Sequence, residues 1–164
     1  MKSSQWPPSE CSAQEIGGFC GLLDQAFGPR DRSQEIRAAH SLVYLHEGQA
    51  LLGIAALKTR SVDMTRDVFQ SAGVSLPEKA ALYELGWVVV DQRHRGRRLS
   101  RILVEAALQA AGDACVYATC HDTNAAVHRT LRRYGFTETG TAFYSERHGK
   151  TLVLFTRAGR PTSA

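Results

Sequence analysis

Residues 81–100 read Ala81-Leu82-Tyr83-Glu84-Leu85-Gly86-Trp87-Val88-Val89-Val90-Asp91-Gln92-Arg93-His94-Arg95-Gly96-Arg97-Arg98-Leu99-Ser100. The first ten are apolar enough on both faces of an extended chain to predict a strand lying centrally in a sheet. From Leu99 onward, Ile102, Leu103, Ala106, Ala107 and Ala110 recur at helical spacing, while Arg101, Glu105 and Gln109 face away. A buried strand thus passes through a glycine-containing turn into an amphipathic helix. Such a turn aims several unbonded backbone N–H groups at one point, and the helix dipole adds partial positive charge there. Arginines at a helix start oppose that dipole unless an anion is present, so the segment reads as a phosphate-binding turn. The competing reading is a solvated arginine run.

Upstream, Ser12 and Glu15 form a capping box for a helix carrying Ile16, Phe19, Cys20, Leu23 and Phe27, which Gly28-Pro29 ends. Gly17, Gly18 and Gly21 weaken it. A short helix over 32–39 follows, then a hairpin of 42–45 and 51–57 about Glu47-Gly48. Residues 59–79 form a polar, weakly helical insertion of the kind that serves as a binding loop or lid. Downstream come a strand at 115–119, a helix from about Asn124 to Tyr134 capped by Gly135, and a second hairpin of 141–145 and 152–156. Residues 1–10 and 157–164 carry prolines and no periodicity, and are expected to be loose ends.

The length of 164 residues and 43% apolar content suit one α/β domain spanning 1–164. The formal net charge of +4 permits an anionic partner without choosing one. No apolar run approaches the roughly 20 residues needed to cross a bilayer, and no leader-like start is present, so no membrane association and a cytoplasmic location are expected. Cys11, Cys20, Cys115 and Cys120 make no C-x-x-C pair, and the six histidines have no ligand spacing, so no metal is expected.

Arg95-Gly96-Arg97-Arg98-Leu99-Ser100 resembles the R/Q-x-x-G-x-G/A signature of the GNAT superfamily of acetyltransferases. Arg98 stands at the first signature glycine, and Ser100 where Gly or Ala is usual; with a helical backbone at Arg98, its N–H still serves a phosphate. Asn124-Ala125-Ala126-Val127-His128-Arg129-Thr130-Leu131-Arg132-Arg133-Tyr134-Gly135-Phe136 is similar to the family's second signature, N-x-x-A-x-x-x-Y-x-x-x-G-F, with Leu131 in place of the tyrosine. The resemblance covers about residues 12–156. It implies an α+β domain with a mostly antiparallel mixed sheet of six to seven strands flanked by about four helices. It also implies acetyl-CoA as co-substrate, and transfer of its acetyl group to a primary amine on a small molecule or peptide by direct attack in a ternary complex.

On the same resemblance, Arg95, Gly96, Arg97, Arg98, Leu99 and Ser100 bind the pyrophosphate, Asn124 lies beside the pantetheine arm, and Arg129 meets the adenosine phosphate. For Arg129, with Arg132 and Arg133, a solvated helix face is the alternative. Backbone N–H groups of Val88, Val89 and Val90 polarise the thioester carbonyl. Glu84 is the expected general base, because a carboxylate in an apolar strand costs desolvation unless it faces a cleft or a partner; the alternative is a structural carboxylate paired with an arginine. With Leu131 at the usual acid position, the departing thiolate takes a proton from Tyr134, Tyr144 or water, or leaves without one, since a thiol pKa is about 8.5. Tyr134 reads equally well as a core aromatic. His121 and Asp122 fall just past a strand end, where a turn role for Asp122 is the simpler reading. Substrate contacts are expected from the first helices, the 59–79 insertion with Asp63, Asp67 and Glu78, and the last hairpin with Glu146. A homodimer through terminal strands also follows from the resemblance.

Two rivals use the same residues. A nucleic-acid-binding module would use Arg93, Arg95, Arg97, Arg98 and Arg101 as phosphate contacts. Against it, the apolar stripe behind those arginines needs burial, and no aromatic platform accompanies them. A coenzyme A sensor without turnover would explain the departures at Arg98 and Leu131.

Overall fold

The computed structural model describes residues 1–77 and 82–159. Ala81, the expected first residue of the central strand, and the acidic Glu78 lie outside them. The elements run β1 Lys2–Trp6, α1 Ala13–Phe27, α2 Ser33–Arg37, β2 Ala39–Glu47, β3 Ala50–Lys58, α3 Val62–Ser71, β4 Leu82–Val90, α4 Leu99–Ala111, β5 Cys115–His121, α5 Ala125–Arg133, β6 Thr137–Glu138, β7 Phe143–Ser145 and β8 Lys150–Arg157. This is an α+β fold with a mostly antiparallel mixed sheet, eight strands and five α-helices among the described residues. The chain forms two compact units, Met1–Thr59 with Leu85–Gly112, and Arg60–Glu84 with Asp113–Ala164.

In the first unit, β1, β2 and β3 are antiparallel neighbours, and the hairpin turns at Gly48 with φ 60°. Residues 42–45 are all buried because both faces of this sheet are covered. Leu42, Tyr44, Ile54 and Ala56 pack with Phe19, Leu22 and Leu23 of α1 and Ile36 of α2. The alternate residues face α4, which buries Leu99, Leu103, Val104, Ala106, Ala107 and Ala111. The capping box is formed: Ser12 Oγ accepts from Glu15 N, and Glu15 Oε2 accepts from Ser12 N at 2.7 Å.

The N-terminal residues differ from the expected loose end, since β1 pairs with β2 from Lys2↔His46 to Trp6↔Leu42. Its side chains are mostly exposed, so the strand carries little apolar alternation and is held by backbone bonds to a sheet edge. The other expected loose end also begins inside a strand, as Arg157 pairs with Val116; residues 160–164 lie outside the description.

In the second unit, β5 pairs antiparallel with β8, whose other edge carries β6 and β7. β4 contributes Leu82, Tyr83 and Glu84, parallel to Cys115, Val116 and Tyr117. The 59–79 insertion contains α3, capped by Ser61, and its Phe69 meets Tyr117 edge-on at 5.5 Å in a cluster with Ala72 and Leu154. Between β6 and β7 the chain turns at Gly140 with φ 71°, where Thr141 N donates to Ala72 O. A Cβ at Gly140 would stand 2.0 Å from Ala72 O, so no side chain fits there.

Candidate active site

β4 reaches the turn through a backbone irregularity that no residue pattern announces. Trp87, in mid-strand, has φ 53°, a left-handed conformation that costs an ordinary residue about 1–2 kcal/mol. Its ring meets Phe19 edge-on at 6.0 Å, and the Lys58 ammonium lies 4.9 Å from its centroid. Beyond it, β4 closes tightly on β3: Asp91 N donates to Leu52 O at 2.9 Å, and a Cβ at Gly53 would lie 2.8 Å from Val89 O. Val89 is buried, while Val88 and Val90 are half-buried.

The turn is then built by Asp91. Its buried carboxylate accepts from Arg93 N, Nε and Nη2 at 2.9–3.0 Å, wrapping Gln92–His94 into one 3-10 turn. These bonds from Arg93 hold the Asp91 carboxyl down at about 2. Gly96 has φ 80° and Arg98 φ 59°. The chain therefore takes a left-handed step where the signature has glycine, and the condition of a right-handed helical backbone at Arg98 is not met. Arg98 is also the N-cap of α4 and supplies no side-chain cap. The N–H groups of Gly96, Arg98, Leu99 and Ser100 have no acceptor among the described residues, and the first turn of α4 holds no acidic residue. These are the conditions under which a helix start takes an anion. Arg95, Arg97 and Arg98 are exposed around it; Arg97 is held by Glu47 at 3.0 Å, and Arg95 Nε reaches Val90 O at 3.5 Å. Leu99 is buried and anchors the helix. The residues present fit a pyrophosphate.

The sequence profile of the acetyltransferase (GNAT) family matches residues 14–136. The chain belongs to that family. It is an acetyltransferase using acetyl-CoA as co-substrate. Among solved structures, an acyl-CoA N-acyltransferase from Pseudomonas aeruginosa is 18% identical, with TM-score 0.70 over 96% of this chain and 99% of that one. Arabidopsis thaliana Naa50, in complex with the bisubstrate analogue CoA-Ac-MVNAL, is 12% identical with TM-score 0.68 over 96% and 99%. A GNAT family acetyltransferase from Elizabethkingia anophelis with acetyl-CoA bound is 10% identical with TM-score 0.62 over 96% and 97%. These likenesses are of fold. Among curated proteins, none matches the chain significantly.

The second unit holds the remaining residues that the family resemblance pointed to. Glu84, half-buried on β4, accepts from Arg60 Nε at 2.5 Å, so the paired-carboxylate alternative describes its ground state. Arg60 lies 24 residues upstream, just before the cap of α3, and no sequence pattern linked the two. Beside them Tyr117 is buried, and burial together with the Glu84 charge pushes its hydroxyl up to about 12. Asn124 is the N-cap of α5, its Oδ1 accepting from Val127 N at 3.3 Å. Gly135 and Phe136 close the helix as a Schellman cap, with Gly135 N donating to Arg132 O and Phe136 N to Leu131 O. The second signature is thus legible as a helix with both ends capped.

Leu131 is buried and brings no hydroxyl. Tyr134 is the C-cap, its carbonyl accepting from Arg157 Nε at 3.1 Å, and Tyr144 on β7 is 64% exposed. Arg129 is exposed, whereas Arg132 pairs with Glu138. At the end of β5, His121 Nδ1 lies 2.8 Å from both Asp122 Oδ1 and Thr123 Oγ1. His128, buried on α5 and not singled out from sequence, reaches His121 O through Nε2 at 3.0 Å and so ties the strand end to the helix. Among the described residues no group of three metal-ligating side chains assembles.

Proposed function

We propose that the turn at residues 95–100 holds the pyrophosphate of acetyl-CoA for direct acetyl transfer to a primary amine. The observation that carries this is the set of N–H groups of Gly96, Arg98, Leu99 and Ser100, without acceptors among the described residues and flanked by exposed arginines, at the start of α4. The left-handed Trp87 turns the following part of β4, so the N–H groups of Val88, Val89 and Val90 are the donors that polarise the thioester carbonyl. Asn124 keeps its amide N–H pair for the pantetheine arm while its Oδ1 caps α5, and Arg129 offers an exposed cation to the adenosine phosphate. The acceptor is a small-molecule or peptide amine. A peptide analogue bound to the similarly folded Naa50 supports including peptides in that class.

Glu84 is the proposed base, taking the amine proton directly or through water after its pair with Arg60 loosens. A second reading is favoured by the geometry at His121. Its Nδ1 lies 2.8 Å from Asp122 Oδ1 and accepts from Thr123 N at 3.1 Å, and no partner for its Nε2 is found among the described residues. The donor to the thiolate is the exposed Tyr144, Tyr134 or water.

Thiol release from acetyl-CoA, followed with a panel of polyamines, amino acids and peptides, tests the function. On the accepted amine, Glu84→Gln is expected to lower kcat about a hundredfold or more, with KM for acetyl-CoA little changed. A small effect there, with a large one from His121→Gln, moves the base to His121. Turnover of none of these amines would contradict the acetyl-transfer proposal and favour the sensor reading.

A cytoplasmic location is proposed on the cysteine spacing, which suits a reducing compartment, and fractionation of cells tests it. No helix among the described residues is long and apolar enough to cross a membrane. A homodimer through β1 is proposed because that strand ends the sheet and exposes Trp6; sedimentation of the purified chain tests it.

A further inference from the structure

Two features of the first unit have no part in the phosphate turn, the buried ammonium of Lys58 and the choice of Trp87 for the left-handed step. Lys58 ends β3 and is only 6% exposed, in a position where lysine is seldom found. Its Nζ sits over the indole of Trp87 at 4.9 Å. Gly86, immediately before, could take positive φ without a steric penalty, yet the chain places that conformation on Trp87, whose ring touches both Phe19 and Lys58. Past this point β4 is pinned to β3 by the Asp91–Leu52 bond and by the close approach at Gly53. A rotation at Trp87 is therefore confined to the three residues Val88, Val89 and Val90.

We propose that Lys58 is a positioning residue for acetyl transfer: its ammonium, seated on the Trp87 ring, holds the left-handed step that directs the N–H groups of residues 88–90. Strain at a non-glycine residue persists only where surrounding contacts over-determine it, and here those contacts include the apolar cluster around Phe19 and Tyr44 and the Lys58 cation. The inference rests on the reading that these N–H groups polarise the thioester carbonyl.

The test is isotope-edited infrared spectroscopy of acetyl-CoA carrying carbon-13 at the acetyl carbonyl, bound to the full chain. Binding to wild type is expected to lower the carbonyl stretching frequency relative to free acetyl-CoA. Lys58→Met is expected to lose most of that downshift while the Kd for acetyl-CoA stays within about twofold, because the phosphate turn is untouched. Lys58→Arg, which keeps a cation over the ring, should retain it. Lys58→Gln serves if the methionine variant does not fold. A merely structural role would lower the melting temperature without moving the carbonyl band. A full downshift in Lys58→Met or Lys58→Gln overturns the role of Lys58 and leaves the N–H reading intact. No downshift in bound wild type overturns that reading and this proposal with it.

Discussion

Arg98→Gly is expected to make the protein more stable, although it removes a charged side chain from the binding turn. Arg98 has φ 59° and ψ 26° at the N-cap of α4, with no side-chain cap to lose. Relief of the left-handed penalty is worth about 1–2 kcal/mol, against which glycine costs about 0.5–1 kcal/mol of extra chain entropy. The net gain is on the order of 0.5–1 kcal/mol, or roughly 1–4 °C in Tm for a chain of this size. Arg98→Ala is the control, because it removes the same charge and keeps the Cβ that causes the strain. Thermal unfolding of the three proteins should rank glycine above alanine, by about 0.5–1 kcal/mol or more given the N-cap preference for glycine. Calorimetric titration with acetyl-CoA adds the functional half: if only the backbone N–H serves the phosphate, the two variants lose little affinity. A glycine variant no more stable than the alanine variant would refute the strain argument.

Gly140→Ala should cost about 3 kcal/mol or more in denaturant unfolding, since its Cβ would stand 2.0 Å from Ala72 O at positive φ; a loss under about 1 kcal/mol would contradict that packing. Asp91→Asn should destabilise by about 1 kcal/mol at neutral pH, the figure being discounted because the Arg93 side chain is largely in solvent. Because the folded Asp91 carboxyl is held near 2, below its unfolded value, its contribution is present above about pH 4 and fades as pH falls toward 2. Unfolding free energies of wild type and variant should therefore converge at low pH, and a constant difference would contradict the assignment.

The sequence made the local elements legible where period and punctuation agree. The capping box at Ser12, the stripe behind Leu99 and the Gly135-Phe136 stop each name their helix or its end, because the bonds involved span only a few residues. β1 was illegible, since an edge strand with mostly exposed side chains needs no alternation. The phosphate turn was readable from Gly96 and its position between strand and helix, whereas the left-handed steps at Trp87 and Arg98 were not, because neither residue type favours them. Pairs distant in the chain were also invisible: Arg60 with Glu84, and Lys58 with Trp87, meet only through the folded sheet.

The most direct test of the central claim is calorimetric titration of acetyl-CoA into wild type and into the Arg95→Ala, Gly96→Asp double variant. Gly96 has open space for a side chain, so the change places strain and negative charge in the turn without crowding the core. The account predicts saturable binding by wild type, weakened at least about a hundredfold in the variant. Equal affinity in the two proteins, with the variant folded, would contradict the assignment of the phosphate site to this turn.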